Sequence, residues 1–121
     1  MPIFSFTTLL AFLLLFFTQT MSFAQYDVHY LKSGNEALIQ KNYVQAETDY
    51  TTSLKHNSRN MEAYLQRGIA RWHLGKYKDA ISDLDRSVLF NYKLAEANFW
   101  KGKSYYSMDS YKEAIKFFDE A

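Results

Sequence analysis

The tetrapeptide YKDA at residues 77–80 recurs as YVQA at residues 43–46 and as YKEA at residues 111–114. Each copy begins 34 residues after the previous one, at positions 43, 77 and 111. Glycine keeps the same interval at positions 34, 68 and 102. Several residue types recur at the same 34-residue interval and keep the same positions relative to each other. Such a pattern indicates an internal repeat, in which copies of one supersecondary unit stack on each other.

Each repeat is predicted to be two helices joined by a turn. In the middle copy, small and apolar residues recur at helical spacing before the segment GKY, residues 75–77, and again after it. The first stripe contains Tyr64, Gly68 and Trp72, and the second contains Ala80, Ile81, Leu84 and Val88. Strand alternation fits neither half. The sequence therefore predicts an all-α fold of antiparallel helix–turn–helix repeats.

The recurring small residues have a packing explanation. Antiparallel helices that pack about 8–10 Å apart need small side chains where their axes come closest. We expect Gly68 and Ala80 to supply that small surface between the two helices of the middle repeat. Tyr77 is expected to fill the space beside the turn with its ring.

The composition excludes several classes of function. The chain has a net charge of +1, with 48% apolar and 22% charged residues, and contains no cysteine. Its interspersed charges supply no field that would attract nucleic acid or an anionic membrane. Without cysteine, disulfides, thiolate metal sites and cysteine nucleophiles are excluded.

The N-terminal segment is predicted to direct export. The chain has no charged residue before Asp27, and its apolar stretch LLAFLLLFF, residues 9–17, is followed by the small residues Ser22 and Ala24. This order is typical of a secretory signal peptide. We predict a signal peptide at residues 1–24, cleavage after Ala24 and a secreted or periplasmic location.

The alternative for this segment is an uncleaved membrane anchor at residues 3–23. The absence of Lys or Arg near Met1 keeps this alternative open. However, the stretch of nine strongly apolar residues is shorter than the about 20 residues that a membrane-spanning helix needs.

The pattern resembles the tetratricopeptide repeat family. The 34-residue period, the small residue in the first helix, the aromatic residue after the turn and the alanine three positions later all match. The resemblance implies a short right-handed solenoid in a domain at residues 25–121. Two full repeats at residues 27–60 and 61–94 would precede an incomplete third at 95–121. Asn98 departs from the family pattern, because Tyr30 and Tyr64 are aromatic at that position.

The family resemblance implies a scaffold that binds a protein or peptide in a concave groove lined by the first helix of each repeat. Leu31, Leu65, Ile69 and Phe99 are expected nearer the packed side. We expect Trp100 to be an anchor for a partner side chain, with Lys103 one turn later; packing against a following repeat is the alternative. The groove surface would carry Lys32, Asn35, Glu62, Gln66, Glu96, Trp100 and Lys103.

Some members of this family grip a C-terminal carboxylate with a clamp of Lys, Asn and Arg side chains. The corresponding positions in this chain are Leu31, Asn35, Gln66, Glu96 and Trp100. Only Asn35 fits the clamp, and Glu96 would repel a carboxylate. We therefore do not expect recognition of chaperone tails by that clamp.

The sequence offers no enzymatic, metal or cofactor site. His29, His56 and His73 lack the i, i+4 spacing of a helical metal site, and no serine lies in a nucleophile elbow. The segment KYKDAISDLDR, residues 76–86, is interpreted as a solvated charged helix face. We expect a non-enzymatic protein without a metal or a cofactor.

The alternative function is structural: the chain would be the N-terminal segment of a longer array, or a subunit that self-associates. Ile115 and Phe118 are spaced to face inward, whereas Phe117 and the Tyr105–Tyr106 face have nothing after them to cover them. Because each repeat buries one side on its successor, we expect the third repeat to self-associate or to fray beyond about residue 112.

Overall fold

The computed structural model describes residues 5–121, apart from the side chains at positions 19–21 and 23. This part of the chain contains helices and no strand, which confirms the all-α prediction. Residues 1–4, where the predicted signal peptide begins and the alternative anchor has its first two residues, lie outside the described residues. The helices are α1 (Phe6–Ile39), α2 (Tyr43–His56), α3 (Met61–His73), α4 (Tyr77–Leu89), α5 (Leu94–Ser107) and α6 (Tyr111–Asp119).

The helices pack as three consecutive pairs. Helix α1 packs on α2, α3 on α4 and α5 on α6, while α2 also contacts α3 and α4 contacts α5. Each pair therefore buries one side on the next pair. The core has two parts: Ala37, Ala46, Tyr50, Leu54, Ala63 and Ala70 fill the first, and Leu65, Ile69, Leu84 and Ala97 fill the second.

Each helix pair reverses direction through a residue in the left-handed backbone region. These residues are Lys41 with φ 60°, Gly75 with φ 76° and Asp109 with φ 60°. The following N–H donates to a carbonyl five residues earlier, as Lys76 does to Arg71 with an N···O distance of 2.9 Å. This hydrogen bond is characteristic of a helix that ends in a left-handed residue. The three equivalent turns give the three repeats the same reversal.

The repeated glycines make room for a large side chain on the second helix. A Cβ added to Gly68 would lie 3.0 Å from Leu84 Cγ and 3.3 Å from the Ala80 carbonyl oxygen. The close contact predicted with Ala80 is thus only one part of the packing, and Leu84 is the nearer neighbour. At Gly34 an added Cβ would meet Tyr50 Cε1 at 2.7 Å, and at Gly102 it would meet the ring of Phe118.

Asp83 is buried, with 3% of its surface exposed. The prediction that residues 76–86 form a solvated charged face is therefore wrong at this position. Arg67 donates from Nε at 2.9 Å and from Nη2 at 2.8 Å, and Arg71 donates from Nη1 at 2.9 Å. Residue 83 faces α3, where the two guanidinium groups supply the charge and the donors that a buried carboxylate needs.

The contact between Arg67 and Asp83 is one of three equivalent contacts, which we call the interhelical pairs. In the first repeat, Ser33 donates to Asp49 at 2.7 Å. In the third repeat, Lys101 Nζ lies 3.9 Å from the centroid of the Phe117 ring. The members of the interhelical pairs are therefore Ser33–Asp49, Arg67–Asp83 and Lys101–Phe117.

Lys101 is almost fully buried and also forms an ion pair with Asp85 at 2.7 Å. Tyr105 stacks on Phe117 with ring centroids 5.3 Å apart. The prediction concerned a following element, but Lys101 and Tyr105 of the preceding helix α5 already lie against the Phe117 ring.

The outer face of α6 is more exposed than the sequence suggested. Ile115 is 61% exposed, so the prediction that it faces inward is wrong. Phe118 does face inward, against Gly102 and Phe99 of α5, but it is still 39% exposed. The equivalent residue to Phe118 in the second repeat, Leu84, is fully buried because α5 packs on α4. Within the described residues, no helix covers that face of α6.

Helix α1 runs without a break through the predicted cleavage position at Ala24. The large apolar side chains that are described between Phe6 and Phe17 are exposed. Among the described residues, none of the helices combines the length and the apolar character that crossing a membrane requires.

Asp27 fixes the start of the first repeat. Its buried carboxylate accepts hydrogen bonds from Ser53, from Asn57 at 2.9 Å and from Asn60 at 3.0 Å. Burial acts to raise the pKa of Asp27, but these hydrogen bonds outweigh it and hold the pKa below its usual value. The carboxylate therefore ties α1 to the end of α2 and to Asn60, which caps α3.

Candidate functional site

The first helices of the three repeats lie side by side. Helix α3 contacts both α1 and α5, so the three helices form one continuous face, which we call the groove. The structure brings five of the seven predicted groove residues together in two groups, and Lys32 and Glu96 belong to neither. One group lies between α1 and α3, and the other lies between α3 and α5.

The first group surrounds an open cavity of about 340 Å³. Its lining consists of Asn35, Leu38, Ile39, Glu62 and Gln66. Lys32 lies apart from this cavity, because it lines a separate depression of about 180 Å³ with His29, Ser33 and Glu36.

Asn35 has a structural contact inside the first repeat. The Tyr50 hydroxyl donates to Asn35 Oδ1 at 2.7 Å. Burial, with smaller contributions from the Glu62 and Asp49 carboxylates, raises the pKa of Tyr50 far above its usual value. The phenol of Tyr50 therefore stays protonated and continues to donate its hydrogen bond. The amide oxygen of Asn35 accepts this hydrogen bond and is thus occupied within the first repeat.

The second group contains an aromatic cluster formed by Tyr43, Trp72, His73, Phe99 and Trp100. The Trp72 and Trp100 ring centroids lie 5.2 Å apart at an interplanar angle of 61°. Trp100 lies 5.7 Å from Phe99 and 5.7 Å from His73, while His73 stacks flat on Tyr43 at 4.2 Å. These separations are typical of favourable edge-to-face and stacked ring pairs.

Trp100 packs against the second repeat, which precedes it. It borders the core formed by Leu65, Ile69, Leu84 and Ala97, and part of its ring stays accessible. The alternative that Trp100 packs on a following repeat stays a prediction. Phe99 is 44% exposed, so the expectation that it lies nearer the packed side is wrong.

Lys103 places its ammonium group over the aromatic cluster. Nζ lies 4.1 Å from the Trp72 centroid, 4.4 Å from the Trp100 centroid and 5.5 Å from the Phe99 centroid. A cation over the face of an aromatic ring is attracted by the ring quadrupole, most strongly over tryptophan. The i, i+3 spacing of Trp100 and Lys103 on α5 places both side chains on the same face.

His73 is a part of this site that the sequence did not predict. Partial burial, followed by the charges of Lys103 and Lys41, lowers the pKa of His73. Its imidazole is therefore neutral at physiological pH and can stack on Tyr43 without adding charge. Among the described residues, no group of three or more His, Asp or Glu side chains could hold a metal ion.

Glu96 completes the predicted set. It lies in the first turn of α5 and is partly buried, whereas Lys103 lies seven residues later on the same helix. At a rise of about 1.5 Å per residue, the two positions are about 10 Å apart along the axis. Glu96 is thus well separated from Lys103 along the helix, although it lies only one turn before Trp100. The binding role of all seven predicted residues stays a prediction.

Comparison with known structures supports the repeat architecture. The chain is similar to the Arabidopsis OM64 TPR domain, with 27% identity over 78% of this chain and 78% of that chain and a TM-score of 0.74. It is also similar to the first TPR of Spaghetti (RPAP3), which is bound to the HSP90 peptide SRMEEVD, with 24% identity, coverages of 79% and 76% and a TM-score of 0.73. A third similar structure is the MamA protein, with 24% identity, coverages of 80% and 53% and a TM-score of 0.71.

Comparison of the sequence with models of protein families identifies the family of this chain. A search of curated proteins finds no significant match. Two tetratricopeptide repeat family models match the chain, one at residues 31–94 and the other at residues 95–121. Because these matches together cover all six helices at least in part, and because the helix pairs stack as similar structures do, the chain belongs to the tetratricopeptide repeat family.

Proposed function

We propose that this protein is a non-enzymatic scaffold that binds a protein or peptide partner in the groove. The observation that carries the proposal is the aromatic cluster, in which Trp100 packs on α3 and stays partly accessible, and Phe99 beside it is 44% exposed. Large aromatic side chains are frequent energetic centres of protein interfaces. A structure of similar fold, the first TPR of Spaghetti, is bound to a peptide, which supports peptide binding by this chain.

The partner that we propose does not depend on a carboxylate clamp. Of the five positions that correspond to the clamp, only Asn35 carries a suitable side chain, and its amide oxygen already accepts from Tyr50. Glu96 would repel a terminal carboxylate. The proposal therefore places the partner's anchoring side chain against Trp100 and Phe99.

Site-specific photo-crosslinking in the protein's own host tests this proposal. A photoreactive phenylalanine at position 99 should capture a discrete partner, while the same group at Leu89, which is 73% exposed on α4, should not. Trp100→Ala should reduce capture at position 99 by about tenfold or more, because truncating an interface anchor often costs 2 kcal/mol or more.

The variants must be compared under conditions in which circular dichroism shows them equally folded. A milder variant, Trp100→Phe, keeps the packing on Ile69 and serves as a second measurement. Equal capture at positions 99 and 89, or capture that Trp100→Ala leaves unchanged, would remove the support for a groove-binding scaffold.

Export is the second part of the proposal. The uncharged, apolar segment before Asp27 and the small residue at position 24 support a signal peptide removed after Ala24. N-terminal sequencing of the protein purified from its own host should therefore begin at Gln25. Recovery of an intact N-terminus in the membrane fraction would establish the anchor at residues 3–23 instead.

A structural role is the alternative function, and the exposed face of α6 favours it. If a second copy or a further repeat packed there, the apolar surface of Ile115 and Phe118 would be removed from water, which is favourable. Sedimentation of the same purified preparation distinguishes the two functions. A concentration-dependent oligomer that Ile115→Lys dissociates would support self-association, and a monomer at high concentration would exclude it.

A further inference from the structure

On α3 and α5 the charges along the groove are separated by sign. Glu62 and Glu96 lie in the first turns of α3 and α5. Lys103 lies in the last two turns of α5, and Lys41 follows the end of α1. Both of these lysines act on the pKa of His73, whereas no carboxylate does. The aromatic cluster therefore lies at the basic end of the groove.

Lys103 has no anionic partner among the described residues. The five ion pairs found among the described residues involve Arg67, Arg71, Lys76 and Lys101 as cations and do not include Lys103. Its ammonium group instead lies over the rings of Trp72 and Trp100, which replace part of its water shell. An ammonium carries three N–H donors, and those that do not point at the rings can still donate to an acceptor. Lys103 can therefore bind a carboxylate while it stays over the rings.

The surroundings favour a carboxylate over other groups at this position. Glu96 lies about 10 Å away along α5, which is beyond the screening length of about 8 Å at physiological salt. Lys41, which is exposed after α1, adds a second positive charge on the same side. Beside Lys103, the accessible part of Phe99 offers an apolar surface.

We infer that the basic end of the groove binds an acidic segment of a partner: an Asp or Glu side chain pairs with Lys103, and an adjacent apolar side chain packs on Trp100 and Phe99. This inference rests on the proposed function and specifies the chemistry of the partner. The contact uses an internal side-chain carboxylate, so it needs no free C-terminus. Lys103 is not one of the five positions that correspond to the carboxylate clamp.

The two tryptophans of the chain make this site directly observable. Trp72 and Trp100 are the only tryptophans in the sequence, and both belong to the aromatic cluster. Tryptophan fluorescence of the mature protein therefore reports this site alone. Suitable probes are the amidated, acetylated peptides GSDFDFDSG, GSNFNFNSG and GSKFKFKSG, which contain no tryptophan and no terminal carboxylate.

We expect the acidic peptide to bind about tenfold more tightly than the neutral one, the size expected for one charge-assisted hydrogen bond, and the basic peptide to bind most weakly. Lys103→Met keeps much of the aliphatic stem, and it should abolish the preference for the acidic peptide. Lys55→Met, which removes a charge from the exposed last turn of α2 outside the groove, is the matched control and should leave the preference unchanged. Added salt should reduce the preference, because it screens the ion pair.

The results separate this inference from the proposed function. Equal binding of the acidic and neutral peptides, or tighter binding of the basic one, would overturn the acidic partner while groove binding itself stands. Binding of none of the peptides at millimolar concentration would also overturn the inference. If photo-crosslinking at position 99 fails as well, the proposed function falls with it.

Discussion

Replacing Asp83 with alanine is expected to destabilise the protein by about 3–5 kcal/mol, the cost of removing one member of a buried ion pair. The carboxylate accepts three hydrogen bonds from Arg67 and Arg71, and the Arg67 side chain is only 13% exposed. Without Asp83, the guanidinium of Arg67 stays buried beside an apolar methyl group. Urea unfolding followed by circular dichroism measures the change in the free energy of unfolding.

Asp79→Ala is the matched control, because Asp79 is an exposed aspartate one turn earlier on the same helix. It should cost less than about 1 kcal/mol, since it loses only a favourable contact with the helix dipole. The double variant Arg67→Met, Asp83→Leu should recover much of the stability, because apolar residues replace both members of the ion pair and Arg71 keeps its ion pair with Glu47. Similar losses from Asp83→Ala and Asp79→Ala would show that the Asp83 network is not a major source of stability.

Gly34→Ala should destabilise the protein by about 1–3 kcal/mol through overpacking, even though alanine is the better helix former by about 1 kcal/mol. The new methyl group would lie 2.7 Å from Cε1 of Tyr50. Tyr50 cannot move aside easily, because its ring is fully buried and its hydroxyl donates to Asn35. The same denaturation experiment measures this variant.

Gly102→Ala tests the explanation at the equivalent position of the third repeat. The added Cβ would meet the Phe118 ring at a similar distance, but Phe118 is 39% exposed and can rotate towards solvent. We therefore expect this substitution to cost less than 1 kcal/mol, or to stabilise slightly. An equal loss at both glycines would mean that helix packing, rather than the buried Tyr50 ring, determines the cost.

The periodic residues were sufficient to predict the repeats but not their contacts. Gly68 and Ala80 stand out because glycine and alanine recur in phase at 34-residue intervals. The nearest neighbour of Gly68 is instead Leu84, whose equivalents are Tyr50 and Phe118. Because the residue type at this position changes from repeat to repeat, a search for recurring residues does not reveal it.

The buried charge of Asp83 was hidden for a related reason. Its equivalents are Asp49 and Phe117, and the arginines that bind it lie 12 and 16 residues earlier, on another helix. A local reading of a helix with several charges favours a solvated face. Only the packing of α4 on α3 identifies which of these charges is buried.

The groove site was predicted in part. Trp100 and Lys103 come together because residues three apart on one helix share a face. Trp72 and His73 are on the neighbouring helix, and their contact with Trp100 depends on how far α3 and α5 are offset along their axes. Trp72 is six residues after Gln66, the repeat equivalent of Trp100. A contact between the two tryptophans therefore requires α3 and α5 to be offset along their axes. The offset itself follows from packing, which the sequence pattern does not specify.

The interhelical pairs also limit how this gene could recombine with itself. A crossover in the turn after α3 or α5 would join the first helix of one repeat to the second helix of another. Arg67 would then face Phe117 and lose both hydrogen bonds to a carboxylate, while Lys101 would face Asp83 without the second arginine. A crossover between whole repeats keeps every interhelical pair intact. Viable duplications and deletions should therefore have their junctions between repeats, near residues 60 and 94, rather than at the turns inside them.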